Sequence, residues 1–296
     1  MPTGRFEIRN PEIHPLSVFL YPLLDFILNL SPSSPIGVFD SGIGGLTVAF
    51  AIKQLLPLES LVYFGDTAHL PYGEKSEAAI QAYSIKIADV LLKKGCKVIV
   101  IACNSASSAA YDLLKEYVPK DIEVISVIDP MANLVLANFE NKRVGLIGTK
   151  RTVQSGIYTR KIDAGRKNIR LSSLATPLLV PMIEEGFVNN KISHDILETY
   201  LSDPSLQSID ALILGCTHYP LIKTEISQFY PSGTAILDSS EVVATALKTH
   251  LEKKGLLGKG PPSYQFLVSD YTESFEASAR FFFHESVHLE KHTLWD

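Results

Sequence analysis

Residues 212–220, "LILGCTHYP", decide the fold, because a short apolar run passes directly into a thiol and then into polar residues. A buried strand that continues into helical periodicity is typical of the repeating βα unit of a parallel sheet. Residues 98–107, "VIVIACNSAS", have the same organisation, with Cys103 where the first segment has Cys216. The two segments predict two similar strand ends, each with a cysteine in front of a helix.

Short β-branched apolar runs alternate with helical patterns from Pro35 onward. Strands are predicted at 36–40, 60–66, 96–103, 123–128, 143–149, 169–175, 211–216 and 234–239. Helices are predicted at 45–56, 76–94, 105–117, 151–163, 178–186, 193–202, 217–229 and 240–254. This alternation predicts an α/β fold of two doubly wound parallel-sheet domains rather than one sheet. A TIM barrel is the competing architecture.

The similarity of the two cysteine segments predicts a pseudo-two-fold relation between the domains. Residues 36–127 plus 239–296 are assigned to the first domain and residues 128–238 to the second. Ligands of open α/β sheets bind outside the carboxyl ends of the strands. Both cysteines follow such ends, so we expect the active site in the cleft between the domains.

Composition limits the classes of partner. The chain has 296 residues, of which 46% are hydrophobic, and its net charge of −5 predicts no general attraction for nucleic acid. Three cysteines without C-x-x-C spacing argue against a disulfide framework and favour a reducing cytoplasm.

The first 35 residues differ in character from the rest and are predicted to form an N-terminal extension. The apolar run at 16–30 is interrupted by Pro22 and Asp25, and it is shorter than the roughly 20 residues of a spanning helix. No membrane span is therefore expected. A region not needed for the fold and a targeting signal remain alternatives.

The two cysteines are the strongest candidates for chemistry. At a helix N-terminus the macrodipole favours a thiolate, so the pKa of Cys103 is predicted to fall below its ordinary value. His218 follows Cys216 by two residues and could tune that thiol, with Glu184 as a second carboxylate. Cys96 has no such context and is read as core or surface.

The segment "FDSGIGGLTV" (39–48) is a strand, a glycine-rich turn and a helix start. It matches the dinucleotide fingerprint poorly, because the third glycine position holds Thr47. The glycines could instead let backbone N–H groups approach a small anion, with Asp40 and Ser41 beside it. A plain Asp or Ser N-cap is the alternative. Tyr72 and Gly73, in the loop at 65–76, could contact the same ligand or only form a turn.

One motif suggests a metal. "HESVH" (284–288) matches the H-E-x-x-H signature of zinc proteases, which requires both histidines on one helix face. Upstream residues 271–283 read as a helix, whereas downstream residues alternate like a strand. The motif therefore straddles a helix end, and no metal is expected.

Taken together, "FDSGIGG", "GDTAHLPYG", "ACNSAS", "GTKRTVQSGIYTRKI", "PLLVPMIEEGF" and "LGCTHYPLI" resemble the glutamate racemases of the aspartate/glutamate racemase superfamily. The resemblance runs in order from about residue 36 to 290. It implies a cofactor-independent isomerase of two α/β domains that supplies D-glutamate for peptidoglycan, cell wall and cell shape. One departure is Ser105, where the family usually has Thr.

The resemblance also implies residue roles. Cys103 and Cys216 match the two catalytic cysteines, and assisting groups match Asp40, His218 and Glu184. The substrate-binding positions match Asp40, Ser41, Tyr72, Gly73, Asn104, Ser105, Thr217 and His218. In the family pattern Cys103 acts on the D-enantiomer and Cys216 on the L-enantiomer. A homodimer is expected, and a peptidoglycan-precursor activator is possible for a member with an extension.

Two alternatives stay open. An aspartate racemase, or a related two-cysteine isomerase, would share the mechanism and differ in the side-chain pocket. A nucleotide-binding α/β domain would use "DSGIGG" and keep the cysteines for structure.

Overall fold

The structure, a computed structural model, describes residues 30–295. The predictions for the N-terminal extension fall almost entirely on residues 1–29 and so lie outside the described residues. Within residues 30–295, no helix combines the length and the apolar character needed to cross a bilayer.

The described chain forms two parallel sheets, which confirms the two-domain α/β prediction and excludes a TIM barrel. The strands are β1 Ile36–Asp40, β2 Leu61–Gly65, β3 Val98–Ile101, β4 Glu123–Ser126, β5 Arg143–Gly148, β6 Arg170–Ala175, β7 Ala211–Gly215, β8 Ala235–Asp238, β9 Tyr264–Val268 and β10 Leu289–Lys291. The first sheet has the order β10-β9-β2-β1-β3-β4 and the second has the order β6-β5-β7-β8.

The two sheets share one topology. In the first sheet β1 lies between β2 and β3, and β4 lies beyond β3. In the second sheet β5 lies between β6 and β7, and β8 lies beyond β7. β1 and β3 in the first sheet therefore correspond to β5 and β7 in the second, which supports the pseudo-two-fold prediction. The exact residue boundaries of the domains stay a prediction.

The helices lie between successive strands. They are α1 Leu46–Leu55, α2 Glu77–Lys93, α3 Asn104–Tyr117, α4 Ile128–Asn138, α5 Lys150–Gln154, α6 Ile157–Ala164, α7 Leu179–Glu184, α8 Lys191–Leu201, α9 Lys223–Ser227, α10 Ser239–Lys254 and α11 Glu273–Phe283. The helix predicted at 151–163 is two helices, because Gly156 adopts a left-handed φ of 62° and breaks it. The helix predicted at 217–229 begins as a 3₁₀ turn, Tyr219–Ile222.

Two elements were not predicted. β9 is a five-residue strand that pairs with β2 inside the first sheet, and α4 follows β4 with Pro130 in its first turn. Neither contradicts a predicted element.

Strand register brings the functional strand ends together. Asp40 of β1 pairs with Gly65, and Phe39 pairs with Ile101, so the chain after β3 emerges beside Asp40. In the second sheet Gly148 of β5 pairs with Gly215 of β7. Each sheet therefore presents its cysteine at its topological switch point, where crossovers leave in opposite directions and a crevice opens.

Candidate active site

The carboxyl ends of both sheets face a common cavity of about 210 Å³. Its lining residues are Ser41, Leu70, Pro71, Tyr72, Gly73, Glu74, Cys103, Asn104, Ser105, Thr149, Lys150, Thr176, Pro177, Val180, Pro181, Glu184, Cys216, Thr217 and His218. Every residue predicted for the site is among them except Asp40. Asp40 is fully buried and contacts the lining through Thr217.

The two cysteines occupy equivalent places in the two sheets. Cys103 follows β3 and Cys216 follows β7, and each is 6% exposed and in the free thiol form. Both sulfurs belong to the same cavity, and the charge of Cys216 contributes to raising the pKa of Cys103. The structure thus joins two thiols that lie 113 residues apart in sequence (216 minus 103).

Cys103 is held by hydroxyl and backbone groups. It is the N-cap residue of α3, where its Sγ accepts a hydrogen bond from the N–H of Ala106 at 3.4 Å. Its thiol donates to the Oγ of Ser41 at 3.6 Å. Burial and the neighbouring Asp40 carboxylate raise the pKa of Cys103 to about 12. The predicted lowering of this pKa is wrong, because desolvation of the thiolate outweighs the helix terminus.

Cys216 is held by an imidazole. Its Sγ lies 3.7 Å from Nδ1 of His218, and Nε2 of His218 lies 3.0 Å from Oε1 of Glu184. Burial lowers the pKa of His218, but hydrogen bonds to Cys216 and Glu184 outweigh it and raise the pKa to about 10. These contacts favour the protonated form of the His218 imidazole. The Glu184–His218–Cys216 chain places a positive charge beside this sulfur.

Asp40 stands at the end of β1 and links the two domains. Its Oδ2 accepts a hydrogen bond from the N–H of Gly42 at 3.1 Å, and its Oδ1 accepts one from Thr217 at 3.5 Å. Burial raises the pKa of Asp40, against the lowering effect of the His218 charge. The helix-cap alternative is wrong, because α1 begins at Leu46, six residues after Asp40, with Gly45 at its N-cap and no side-chain cap.

The glycine turn is packed against site residues. A Cβ on Gly44 would lie 2.4 Å from Cε1 of His218, and a Cβ on Gly45 would lie 2.4 Å from Cβ of Asp40. Both distances are far below van der Waals contact, so only glycine fits. Because His218 fills the space in front of the turn, this packing disfavours the dinucleotide interpretation.

Neutral hydrogen-bonding groups cover the rest of the wall. Oδ1 of Asn104 accepts from the hydroxyl of Tyr158 at 2.9 Å, whereas its buried Nδ2 has no partner among the described residues. Ser105 shares a hydrogen bond of 2.9 Å with Thr149 across the domain boundary. Tyr72 donates to the buried Asp66 at 2.5 Å, which fixes its ring at the cavity. Asn104, which lines the cavity, thus keeps a buried donor without a protein partner among the described residues.

Sequence reasoning missed several lining residues. Thr149 follows β5 and Thr176 follows β6, so the strand-end rule that located the cysteines could have located both. Tyr158 is buried and orients Asn104, and nothing in the sequence pattern signals this contact. Lys150 also lines the cavity, and the sequence analysis did not name it as a site residue.

The zinc interpretation of residues 284–288 is wrong. α11 ends at Phe283, and His284 adopts a left-handed φ of 58° as its C-cap. Glu285 forms an ion pair with Lys53, and His288 contacts Glu276 at 3.4 Å. The two histidines therefore do not share a helix face.

The family model and the curated relatives that match this chain are both racemases. The profile of the family described as Asp/Glu/Hydantoin racemase matches residues 47–247. A glutamate racemase of Chlorobaculum parvum is 40% identical over 255 residues, covering 86% of this chain and 93% of that protein.

Two solved structures extend the comparison. A Francisella tularensis glutamate racemase in complex with D-glutamate has a TM-score of 0.83 and 39% identity, covering 89% of this chain and 99% of the other. The Escherichia coli glutamate racemase, in complex with L-glutamate and the activator UDP-MurNAc-ala, has a TM-score of 0.70 and 28% identity, covering 88% and 98%.

Proposed function

The chain belongs to the Asp/Glu/Hydantoin racemase family, among its glutamate racemases, and we propose that it inverts glutamate with two opposed thiols. The activity is the interconversion of L- and D-glutamate. One observation carries the mechanism: Cys103 and Cys216 occupy equivalent strand ends and line a single cavity. Pseudo-symmetric placement is what inversion of a carbon requires, because a proton must leave one face and another must arrive at the opposite face.

One sulfur removes a proton from the substrate and the other sulfur supplies a proton. The thiolate of one cysteine takes the α-proton, and the C–H electron pair moves onto the α-carbon and into the α-carboxylate. The thiol of the other cysteine then donates its proton to the opposite face of that carbon. The product is the other enantiomer, and the two cysteines have exchanged protonation states.

A different positive charge stabilises each thiolate. The imidazolium of His218, held by Glu184, stabilises the thiolate of Cys216 and can return a proton to it. Cys103 lacks such a partner, and the α-ammonium group of a bound amino acid would bring the positive charge that favours its thiolate. Asp40 raises the pKa of Cys103 further, which makes the thiolate a stronger base once it forms.

The α-carboxylate needs preorganised donors, because negative charge accumulates there as the proton leaves. The unpartnered Nδ2 of Asn104 and the hydroxyls of Ser41 and Thr217 are placed on the cavity wall for this purpose. Tyr72, Gly73 and Ser105 complete the proposed binding surface.

Membership of the family supports three further parts of the proposal. The protein supplies D-glutamate for peptidoglycan, it acts in the cytoplasm without a cofactor, and it assembles as a homodimer. The E. coli relative is named with a UDP-MurNAc-ala activator, so a similar precursor is a candidate activator here.

The test is racemisation in deuterium oxide. Wild type should convert L-glutamate to D-glutamate with deuterium at the α-carbon, and it should act on L-glutamate in preference to L-aspartate. Cys103→Ser and Cys216→Ser should each lose about 10³-fold in kcat/KM, since a serine hydroxyl is a much poorer base than a thiolate.

Cys96→Ala is the matched control. Cys96 is fully buried against Gly37 and lies outside the cavity, so this variant should retain activity. Near-normal racemisation by either serine variant would contradict the two-thiol mechanism. Faster turnover of L-aspartate would favour the aspartate racemase alternative.

A further inference from the structure

Two ion pairs join the domains beside the cavity. Glu74 lies in the 3₁₀ turn Tyr72–Glu74 and contacts Lys150 at 3.2 Å. Glu77, in the first turn of α2, contacts Arg151 at 2.5 Å. Glu74 and Lys150 line the cavity, whereas Glu77 and Arg151 do not. The first pair therefore faces any bound ligand, and the second only connects the domains.

Lys150 has a fixed place on the wall. It follows Thr149, which shares a hydrogen bond with Ser105 and lies so close to Gly73 that a Cβ there would be 3.0 Å from Cβ of Thr149. The backbone at Lys150 is thus held by contacts from the other domain. Its side chain is 47% exposed, so the ammonium group can move between partners near the cavity.

The charge of the cavity makes Lys150 distinctive. Among the described lining residues it is the only lysine or arginine, and the lining carboxylates are Glu74 and Glu184. Asp40 adds another carboxyl group directly behind the wall. Glutamate itself has two carboxylates and one ammonium group at neutral pH, so it enters this site with a net negative charge. His218 is committed to Glu184 and Cys216, which leaves Lys150 as the available cation.

We propose that Lys150 is a specificity-determining residue, whose ammonium group leaves Glu74 and pairs with the side-chain carboxylate of bound glutamate. This inference rests on the proposed function and names how its substrate is selected. The exchange costs little, because an ion pair between two half-exposed side chains contributes little to stability. The new pair forms inside the cavity, where screening by water is weaker.

Opposite substitutions separate this role from a purely structural one. Lys150→Gln should raise KM for glutamate about fivefold and leave kcat within about twofold, because substrate and transition state lose the same contact. Glu74→Gln removes the competing carboxylate, so it should lower KM by about twofold. A structural link between the domains would be broken by either substitution, so it would shift KM in the same direction in both variants.

The matched control is Lys167→Gln. Lys167 pairs with Glu140 at 3.1 Å with similar exposure, and neither residue lines the cavity. Kinetics of all three variants and of wild type should be measured from low to moderate ionic strength. Wild-type KM should rise with added KCl more than that of Lys150→Gln, because salt screens the long-range attraction of the Lys150 charge for the anionic substrate. Lys167→Gln should behave as wild type.

Several results would overturn the proposal. They are an unchanged KM in Lys150→Gln, a shift of the same sign in Lys150→Gln and Glu74→Gln, or an equal shift in the Lys167→Gln control. Lys150→Arg should keep the wild-type KM, which guards against a folding defect in the glutamine variant. Absence of glutamate racemisation in wild type would instead count against the proposed function itself.

Discussion

The two walls of the cavity start from the same topology and differ in chemistry. Cys103 and Cys216 follow equivalent strands, yet Cys103 contacts a hydroxyl and a backbone N–H, whereas Cys216 contacts a histidine that is paired with Glu184. A pseudo-symmetric scaffold therefore supplies the geometry for proton transfer to both faces, and local side chains set the base strength of each sulfur separately. The two half-reactions should respond differently to substitution.

The largest difference is expected between His218→Asn and Ser41→Ala. His218→Asn should lower kcat/KM about 10²-fold, because it removes the cation that supports the Cys216 thiolate. Ser41→Ala should cost about tenfold, the effect of one hydrogen bond to a charged sulfur. Because L- and D-glutamate have equal free energies, each loss in kcat/KM must be the same in both directions.

The kinetic isotope effect on racemisation shows which of the two cysteines each substitution impairs. With α-deuterated substrate, His218→Asn should increase the isotope effect for the enantiomer that Cys216 deprotonates and decrease it for the other. Ser41→Ala should show the reverse pattern. If both variants change the isotope effect for the same enantiomer, the assignment of separate walls is wrong.

A smaller effect is expected from Glu184→Gln. The substitution removes the carboxylate that helps raise the pKa of His218 to about 10, so this pKa should fall. His218 would then lose its proton at lower pH, and the alkaline loss of kcat should move to lower pH. At neutral pH the rate should fall roughly tenfold. Glu185→Gln, which changes the adjacent exposed glutamate, is the control and should leave the pH profile unchanged. An identical profile in both variants would remove Glu184 from the account.

Most of the fold was predictable because its strands are short apolar runs that end in Gly, Asp or Ser. All eight predicted strands are present, as is the strand-like stretch after residue 286. β9 was missed although residues 264–270, "YQFLVSD", are an apolar run that ends in Ser and Asp, so its signal was present in the sequence. α4 was missed because Pro130 interrupts the helical pattern, although proline is tolerated in the first turn of a helix, where Pro130 lies.

The site was predictable where its residues sit at strand ends and less so where tertiary contacts decide. Cys103, Cys216 and His218 were found from their positions. The high pKa of Cys103 was not, because burial and the Asp40 carboxylate depend on packing that the sequence does not display. Lys150 lines the cavity beside Thr149, whose packing on Gly73 of the other domain is not visible in the sequence.

The most direct measurement is elimination from a glutamate analogue that carries a leaving group on its β-carbon. Removal of the α-proton expels that group with its electron pair, so one base suffices and no proton is needed on the opposite face. Cys103→Ser should eliminate from only one enantiomer of the analogue, and Cys216→Ser should eliminate from only the other. Wild type should act on both. Elimination from the same enantiomer by both variants, or from both enantiomers by either, would contradict the opposed thiols.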